Sequence, residues 1–560
     1  MNKLYFGDNL EVLRDHIRAE TVDLIYLDPP FNSNAGYNVL FKHSSVKGVG
    51  AQAEAFRDTW EWGDAAERAY DAVREQGGDT AIILSGFRRW MGENAMMAYL
   101  AMMSVRLLEM HAALKPTGSI YLHCDSTASH YLKIILDSIF GHRQFLNEII
   151  WKRTGAHSDA KRYGRITDTI LFYSKTSTYT FNQQYTEYVP AYIAERYRYV
   201  DDITNRLFWP NTMTAAGPGP KRVFRGQEMP PPPNTHWRYS QSEIGRMENE
   251  GRIYYSSSGM PYVKSFLDER KGKAVQNLWT DIVMSKTGAE RLGYPTQKPT
   301  ALLNRIIASS SNPGDVVLDP FCGCGTTIDS AEALNREWIG IDVTHYAVTL
   351  IERRLAAFHP AAQYAVTGRP TDLAGAIDLA NRDKHQFEWW AAWRLGAQRY
   401  KEAKKGSDRG IDGRVVFKNG PYGEGLLVIS VKGGENVGVG MVRDLRGVIE
   451  REDAEMGVLI TLAETTRPMI SEAAAAGFVK KSAHGVLPRI QLVTVEDMLS
   501  GRLPRLPYVP GEAPASHRPP KAKGRRTETD RRQLEILFPV DGGKREQQAE
   551  FLDPRFVNFG

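Results

Sequence analysis

The sequence of 560 residues predicts an α/β protein with two folded units. Apolar, β-prone stretches alternate with helix-like stretches over 1–185 and again over 286–368, which is typical of a mostly parallel sheet with crossover helices. The region between them, 186–285, is rich in loops and is expected to be an insertion. The composition then changes, and a smaller α/β unit is predicted over 372–503, followed by a proline-rich, basic tail over 504–560.

The composition is that of an ordinary globular protein, with 42% hydrophobic and 24% charged residues. The formal net charge of +5 permits a basic groove for phosphates. Three cysteines make no disulfide framework, and Cys322 and Cys324 have no further cysteine nearby to complete a metal site. No apolar run reaches the roughly 18 residues that span a membrane. We therefore expect a reducing, cytoplasmic environment and no membrane partner.

The first functional stretch is Asp28-Pro29-Pro30-Phe31, which follows the apolar run from Val22 to Leu27. That run predicts a buried parallel strand, so the stretch forms the loop at its carboxyl end. The carboxylate and a proline-fixed carbonyl can accept both hydrogens of an exocyclic amino group, and the aromatic ring can stack on a planar base. For this stretch alone, a turn without chemical function is the alternative.

A second functional stretch lies near residue 320. The apolar strand ending at Asp319 runs into a turn with alternate glycines, Gly323 and Gly325, and then into a helix that begins near Thr326. Glycines let the backbone approach a ligand closely. Asp342 closes the following strand, roughly 20 residues past the turn, where nucleotide-binding folds place a ribose-binding carboxylate. The stretch therefore predicts a nucleotide-binding turn.

Together the two stretches resemble the amino-methyltransferases of DNA, which use S-adenosyl-L-methionine to methylate N6 of adenine or N4 of cytosine. The catalytic stretch precedes the glycine turn, as in the β class of this family. Four further segments are similar to family elements: Gly7-Asp8-Asn9-Leu10, 119–125, 147–153 and 294–299. The resemblance covers about residues 1–360. It implies a Rossmann-like methyltransferase sheet and a protein that acts on double-stranded DNA. The resemblance also implies a location in the bacterial cytoplasm, in association with the nucleoid.

The resemblance also implies roles for individual residues. Asp28 and the Pro29 carbonyl would accept from the amino group of a flipped base, Pro30 would stiffen the loop, and Phe31 would stack on the base. Cofactor binding is implied for a larger set: Asp8, Asn9, Thr296, Lys298, Asp319, Phe321, Gly323, Gly325, Thr326 and Asp342. Within that set, Asp8 would bind the adenine end of the cofactor and Asp342 its ribose.

The insertion at 186–285 occupies the place where the family has its target-recognition region. Ser240 to Glu243 predicts a capping box at the start of a short helix. Arginine and aromatic side chains suit reading base edges and wedging a duplex, and basic and aromatic residues interleave here: Arg206, Phe208, Trp209, Lys221, Arg222, Arg225, His236, Trp237, Arg238 and Tyr239. A structural insertion with a solvated basic face is the alternative.

Two other segments each have two interpretations. The segment 41–90, which contains Asp58-Thr59-Trp60-Glu61-Trp62, is either an ordered surface loop or a flap over the base pocket. The tail at 504–560 is a linker with nonspecific affinity for phosphates, or its apolar run at 533–538 docks back on a domain.

The carboxy-terminal unit has the order helix, strand, strand, helix, strand and resembles the Mrr-like nucleases of the PD-(D/E)xK class. The resemblance implies that Asp412 binds magnesium and that Lys432 orients the attacking water. Ser430 stands where the class usually has an acid or a glutamine, and a hydroxyl is a poor magnesium ligand. A second carboxylate is needed. Asp444 is the first choice and is predicted within about 6 Å of Asp412, and Glu388 is the other candidate.

We therefore predict a site-specific DNA methyltransferase in a restriction-modification or phage-defence role, with a fused nuclease-like domain. An aspartate at the head of the catalytic stretch goes mostly with N6 of adenine in enzymes of this kind, so adenine is the predicted base. The alternative is an N4-cytosine enzyme whose carboxy-terminal domain is an inactive DNA-binding module. A dehydrogenase is disfavoured by the glycine spacing, and C5 methylation of cytosine by the absence of a Pro-Cys dipeptide. A homodimer remains open.

Overall fold

The computed structural model describes residues 2–30, 61–155, 163–283, 290, 292, 294, 296–397, 410–480 and 482–508, and the backbone alone of 36–41 and 51–57. Phe31, residues 58–60 of the predicted flap, and the tail from 509 onward therefore lie outside the described residues, and the predictions made for them stay predictions.

The first part of the chain alternates strands and helices, as the sequence predicts. It contains β1 (Asn2–Phe6), α1 (Asn9–His16), β2 (Val22–Leu27), β3 (Gly36–Phe41), β4 (Ala51–Arg57), α2 (Asp64–Gln76), α3 (Gly78–Met91), α4 (Ala95–Ala113), β5 (Leu114–Cys124), α5 (Ser129–Phe140), β6 (Phe145–Lys152) and β7 (Thr167–Ser174). Asn94 caps α4 by accepting from the Met97 backbone N–H at 2.9 Å. The methionines of α4 that are buried, among them Met97 and Met103, fill the core beside the sheet.

The inserted region consists of short strands and two helices. Its elements are β8 (Tyr185–Thr186), α6 (Pro190–Arg196), β9 (Tyr199–Val200), β10 (Leu207–Thr212), β11 (Thr214–Ala216), β12 (Arg222–Phe224), β13 (Gln227–Met229), β14 (Thr235–Trp237), α7 (Gln241–Asn249), β15 (Ile253–Tyr255), β16 (Pro261–Phe266), β17 (Lys273–Ala274) and β18 (Leu278–Trp279). The capping box predicted at Ser240 and Glu243 is present at the start of α7.

The chain then returns to the alternating pattern. This part contains α8 (Thr300–Ser310), β19 (Val316–Asp319), α9 (Thr326–Ala333), β20 (Glu337–Asp342), α10 (His345–Phe358) and β21 (Tyr364–Thr367). Within the described residues the central sheet has nine strands, in the order β18-β6-β7-β5-β2-β19-β20-β1-β21. Its pairs are parallel except that β7 runs antiparallel to β5 and β6, so the predicted mostly parallel sheet is confirmed.

The topology brings the two functional stretches together. Strands β2 and β19 are parallel neighbours, with Leu318 opposite Ile25. The catalytic loop follows β2 and the glycine turn follows β19, so both leave the sheet at the same carboxyl edge. Open α/β sheets bind ligands at this edge.

The carboxy-terminal unit has a second, smaller sheet. Its elements are α11 (Leu373–Arg382), α12 (Lys384–Arg394), β22 (Gly413–Lys418), β23 (Glu424–Lys432), α13 (Val439–Arg451), β24 (Met456–Thr461), α14 (Arg467–Ala475), β25 (Ile490–Thr494) and α15 (Val495–Leu499). The strands lie in the order β22-β23-β24-β25, and only the first pair is antiparallel. This confirms the predicted helix, strand, strand, helix, strand order.

The two sheets share one hydrophobic core. A single cluster of buried side chains runs from Leu4 and Trp338 in the large sheet, through Ile351 on α10, to Phe387 and Trp390 on α12 of the smaller unit. Because the cluster is continuous, α12 packs directly on the methyltransferase-like part.

At the same junction, the ring of His345 lies 4.5 Å from that of Trp393, and its backbone N–H donates to Gln386 Oε1 at 3.2 Å. Burial, aided by Arg369, lowers the pKa of His345 to about 3, so this ring is neutral inside the junction.

Among the helices of the described residues, none combines the length and apolar character that a bilayer crossing requires.

Candidate active site

Asp28 lies directly after β2, and its side chain is mostly buried. Oxygen Oδ2 accepts from Lys298 Nζ. Oxygen Oδ1 is buried and accepts no hydrogen bond from the described residues. Because a buried carboxylate oxygen without a donor is costly, this atom is suited to accept from a ligand. Pro29 beside it is buried and Pro30 half-buried, which fixes the loop.

Lys298 lies just before α8, and its side chain is only 9% exposed. Its ammonium also donates to the Thr296 carbonyl at 3.4 Å. The sequence places this lysine in the cofactor segment, whereas the structure places its charge on the catalytic carboxylate. The ion pair joins residues that are 270 positions apart in the chain.

The glycine turn adopts backbone angles that favour glycine. Gly323 has φ +50° and Gly325 has φ +74°, both in the left-handed region. A Cβ atom on Gly325 would lie 2.6 Å from Ile351 Cγ1 on α10, so a side chain there would collide with the packed helix. The turn ends at the amino terminus of α9, where backbone N–H groups point toward the site.

Asp342 connects the glycine turn to the end of β20. Its Oδ2 accepts from the Gly323 backbone N–H at 2.9 Å, and its Oδ1 accepts from the Thr344 backbone N–H at 2.8 Å and hydroxyl at 2.7 Å. Burial raises its pKa to about 6, and these hydrogen bonds oppose the shift. Burial likewise raises the pKa of Asp319 to about 7, although Asp319 accepts from the Phe321 N–H at 3.0 Å. Phe321 itself is half-buried beside the core.

Asp8 and Asn9 hold the first loop against the glycine turn. Asn9 Nδ2 donates to the Pro320 carbonyl at 2.8 Å. Arg106 on α4 donates to Asn9 Oδ1 at 2.6 Å and to Asp8 Oδ2 at 2.8 Å. Sequence reasoning missed Arg106, because an arginine inside an apolar helix has no local pattern that marks its partner. Thr326, another residue of the predicted cofactor set, is buried and accepts from Arg354 at 3.3 Å.

A buried hydrogen-bonded chain, also missed by sequence reasoning, lies beside the catalytic loop. Tyr26 Oη lies 2.9 Å from His123 Nδ1, and His123 Nε2 lies 3.2 Å from Asp168 Oδ2. Although burial opposes the shift, His123, Arg153 and Lys298 lower the pKa of Asp168, so its carboxylate is ionised. An ionised carboxylate only accepts, so His123 Nε2 donates to Asp168, and His123 Nδ1 lies against the Tyr26 hydroxyl. The chain ties β2 to β5 and β7 next to Asp28.

The insertion uses several of its interleaved residues internally. Phe208 and Trp237 are buried in its core, so the prediction that they contact base edges is wrong for these two. Arg206 donates to Asp268 at 2.6 Å and lies over the ring of Phe266. Arg225 lies 3.7 Å from the ring centroid of Tyr255. Other basic residues of the set, such as Lys221 and Arg238, are exposed.

The nuclease-like residues meet at the junction of β22 and β23. Asp412 Oδ2 accepts from the Val431 N–H at 2.6 Å and from the Ser430 hydroxyl at 3.4 Å. Glu388 on α12 is buried, and its pKa is raised by burial and then by the negative charge of Asp412. Lys432 ends β23 and is half-buried, and because Gly413 pairs with Ile429, the start of β22 lies at this end of β23.

Asp444 does not share this environment. It lies on an exposed face of α13, whose buried residues are Val442, Leu445, Val448 and Ile449. Since α13 presents those apolar residues to the sheet, Asp444 faces solvent. The structure therefore favours Glu388, the second candidate, as the acid that accompanies Asp412.

The part of the chain that the structure describes contains three free cysteines and no cluster of three or more metal-ligating side chains. Cys124, Cys322 and Cys324 are free and buried. No group of three or more His, Cys, Asp or Glu side chains among the described residues is arranged to hold a metal ion.

The sheet, the acceptor-rich loop and the nucleotide-binding turn define an α/β enzyme of the methyltransferase class. Residues 22–353, more than half of the chain, match the family of N6/N4 DNA methylases. The chain therefore belongs to the DNA methylase family. Residues 379–499 match a second family, the Mrr-type restriction endonucleases.

Individual proteins of known name are similar to this chain. It is 28% identical over 393 residues to the type II methyltransferase M.EcaI of Enterobacter cloacae, covering 69% of this chain and 76% of that protein. It is 26% identical over 352 residues to the DNA adenine methyltransferase YhdJ of Escherichia coli K12, covering 62% and 81%. Among solved structures, the cytosine-N4-specific PvuII DNA methyltransferase is 15% identical with a TM-score of 0.31, covering 63% and 86%.

Proposed function

We propose that this chain transfers a methyl group from S-adenosyl-L-methionine to N6 of a flipped adenine at a specific site in double-stranded DNA. The observation that carries the proposal is the buried Asp28 Oδ1, which lacks a donor and lies at the sheet edge shared with the glycine turn. An amino hydrogen of the target base would satisfy this oxygen.

The residues present fit the cofactor. The left-handed backbone of Gly323 and Gly325 lets the turn pass close to a ligand, and Asp342 and Asp319 are acidic acceptors at the ends of adjacent strands. The residues that would hold the cofactor are the predicted set without Lys298, whose ammonium lies on Asp28: Asp8, Asn9, Thr296, Asp319, Phe321, Gly323, Gly325, Thr326 and Asp342. When bound, the cofactor supplies a methyl group that is already strongly electrophilic on its sulfonium.

The chain's own residues then orient the base and exclude water. Asp28 Oδ1 accepts one amino hydrogen and the Pro29 carbonyl accepts the other, which directs the nitrogen lone pair along one line. The prolines hold both acceptors in place before the base arrives, so little reorganisation is needed. Phe31 would stack on the base and keep it out of the duplex.

Adenine is proposed over cytosine because an aspartate leads the catalytic loop. The similarity to YhdJ, which is named as an adenine methyltransferase, supports the same choice. The decisive experiment incubates the purified protein with DNA and tritiated cofactor, and then digests the product for mass spectrometry. N6-methyladenine is expected. N4-methylcytosine without N6-methyladenine would reverse the choice of base, and no transfer to any DNA would refute the proposal.

We further propose that the carboxy-terminal domain cuts DNA with magnesium in a restriction-modification or phage-defence role. The observation that favours this is that Glu388 is buried within electrostatic reach of Asp412, which the Val431 N–H holds in place, since two neighbouring acids in a partly buried site suit a bound cation. Magnesium is often held by one or two carboxylates and several waters, so Asp412 and Glu388 suffice without Ser430 as a ligand. Lys432 would orient the attacking water.

The test compares magnesium-dependent cleavage of unmethylated and modified DNA by the wild type and by Asp412→Ala. Cleavage by the wild type alone is expected. Equal cleavage by both proteins would indicate a contaminant, and no cleavage of any substrate would favour a domain that only holds DNA.

A further inference from the structure

The ammonium group of Lys298 and the carboxylate of Asp28 stand side by side in the catalytic pocket. Lys298 Nζ donates to Asp28 Oδ2, while Oδ1 of the same carboxylate accepts no hydrogen bond from the described residues. The two side chains are only 9% and 15% exposed. One enclosed place therefore presents a cationic donor next to an acceptor oxygen.

The ammonium is held from a second direction. The Thr296 carbonyl accepts from the same Nζ at 3.4 Å. Thr296 and Lys298 belong to the segment that precedes α8, whereas Asp28 follows β2, so the donor and the acceptor come from separate parts of the sheet edge. Their positions relative to each other are thus set by the fold and not by one flexible loop.

A donor beside an acceptor matches one type of base edge. Adenine carries an amino donor at N6 next to the ring acceptor N1, and cytosine carries N4 next to N3. Guanine and thymine have a carbonyl oxygen and a ring N–H at the corresponding positions. Their carbonyl oxygen would therefore face the Asp28 carboxylate, and two acceptors repel each other. Enzymes that act on flipped bases read this edge by hydrogen bonding.

We propose that Lys298 donates to the ring nitrogen beside the target amino group, N1 of adenine, while Asp28 Oδ1 accepts from the amino group itself. Lys298 is then a specificity-determining residue that contacts the base, in place of the cofactor role that its segment implies. The inference rests on the proposed methyl transfer and deepens it, because it states how the pocket selects bases whose amino group lies next to a ring-nitrogen acceptor.

The experiment uses the full chain and a duplex that carries its methylation site, read beforehand from modified genomic DNA. The target adenine is replaced by 1-deazaadenine, which has C–H in place of N1, and in a second duplex by 7-deazaadenine. The wild type should lose about 10- to 100-fold in kcat/KM on the 1-deaza duplex, the range for one hydrogen bond to a charged group. The 7-deaza duplex should be methylated at the normal rate.

Lys298→Met completes a cycle with these substrates. The variant should lose a similar factor on normal DNA and lose nothing further on the 1-deaza duplex. Lys3→Met, which removes an exposed lysine at the start of β1, is the matched control and should respond to the 1-deaza duplex as the wild type does. If the target proves to be cytosine, 3-deazacytosine replaces the purine analogue.

Several outcomes would overturn the inference. The wild type could methylate both analogues equally, a result that does not depend on whether Lys298→Met folds. Alternatively, Lys298→Met could raise the KM for the cofactor alone and keep the full 1-deaza effect, which would return the lysine to the cofactor. If the wild type transfers no methyl group to normal DNA, the proposed function itself is refuted. This failure can be told apart from a failure of the Lys298 inference, because it appears on DNA without an analogue.

Discussion

Replacing Asp28 by alanine should separate chemistry from folding. The substitution removes the buried Oδ1, which accepts no hydrogen bond from the described residues, and the Oδ2, which pairs with Lys298. Loss of one charged hydrogen bond in a dry site costs at least about 3 kcal/mol of transition-state stabilisation, a rate loss of roughly 100-fold. Methyl transfer is measured with tritiated cofactor, and cofactor affinity by calorimetry. Affinity should stay near normal, because the glycine turn and Asp342 lie on other strands.

The same strand offers a matched control. Asp23, at the other end of β2, is also mostly buried and accepts from Lys115 Nζ at 2.7 Å and from the Val316 N–H at 2.9 Å. Asp23→Ala therefore removes a comparable ion pair away from the ligand edge. Both variants should lose stability in thermal unfolding, but only Asp28→Ala should lose transfer. Near-normal turnover by Asp28→Ala, or an equal loss of turnover in both variants, would refute the reasoning.

Three further predictions concern the other groups. Burial raises the pKa of Asp342 to about 6, so its carboxylate is ionised above that pH and protonated below it. Cofactor affinity measured by calorimetry should therefore fall as the pH is lowered through about 6, and Asp342→Asn should remove this dependence. In magnesium-dependent cleavage assays, Glu388→Gln should lose activity as Asp412→Ala does, while Asp444→Ala should cut normally. Loss of cleavage in Asp444→Ala together with normal cleavage by Glu388→Gln would identify Asp444 as the ligand. Mass spectrometry of the product DNA should show N6-methyladenine.

The sequence predicts most of the fold because its signals are local. The apolar run before Asp28, the alternate glycines at 323 and 325, and the acid at 342 each mark the carboxyl end of a strand, and parallel strands bring such ends to one edge. The capping box at Ser240 is likewise a short-range pattern, and it is present as predicted.

The side-chain partners could not be predicted in this way. Lys298 reaches Asp28 across 270 residues, and no periodicity encodes that contact. The sequence predicts Asp444 as a nuclease ligand because it lies on the helix after the second strand, but the apolar residues of α13 face the sheet and leave Asp444 facing solvent. The basic residues around Phe208 predict a contact with DNA, but its large apolar ring is more stable buried in the insertion.

The core that α12 shares with α10 has a consequence for the order in which the protein is made. Translation completes the large sheet before α12 emerges, and domains generally fold as units in that order. Trp390 and Phe387 share one apolar cluster with Ile351 of the amino-terminal part and with Val415 and Ile429 of their own sheet. In a newly synthesised molecule the part proposed to methylate DNA would thus be formed before the part proposed to cut it. A substitution that unfolds the first half would remove part of the apolar surface on which α12 packs and so destabilise the second half of the same molecule.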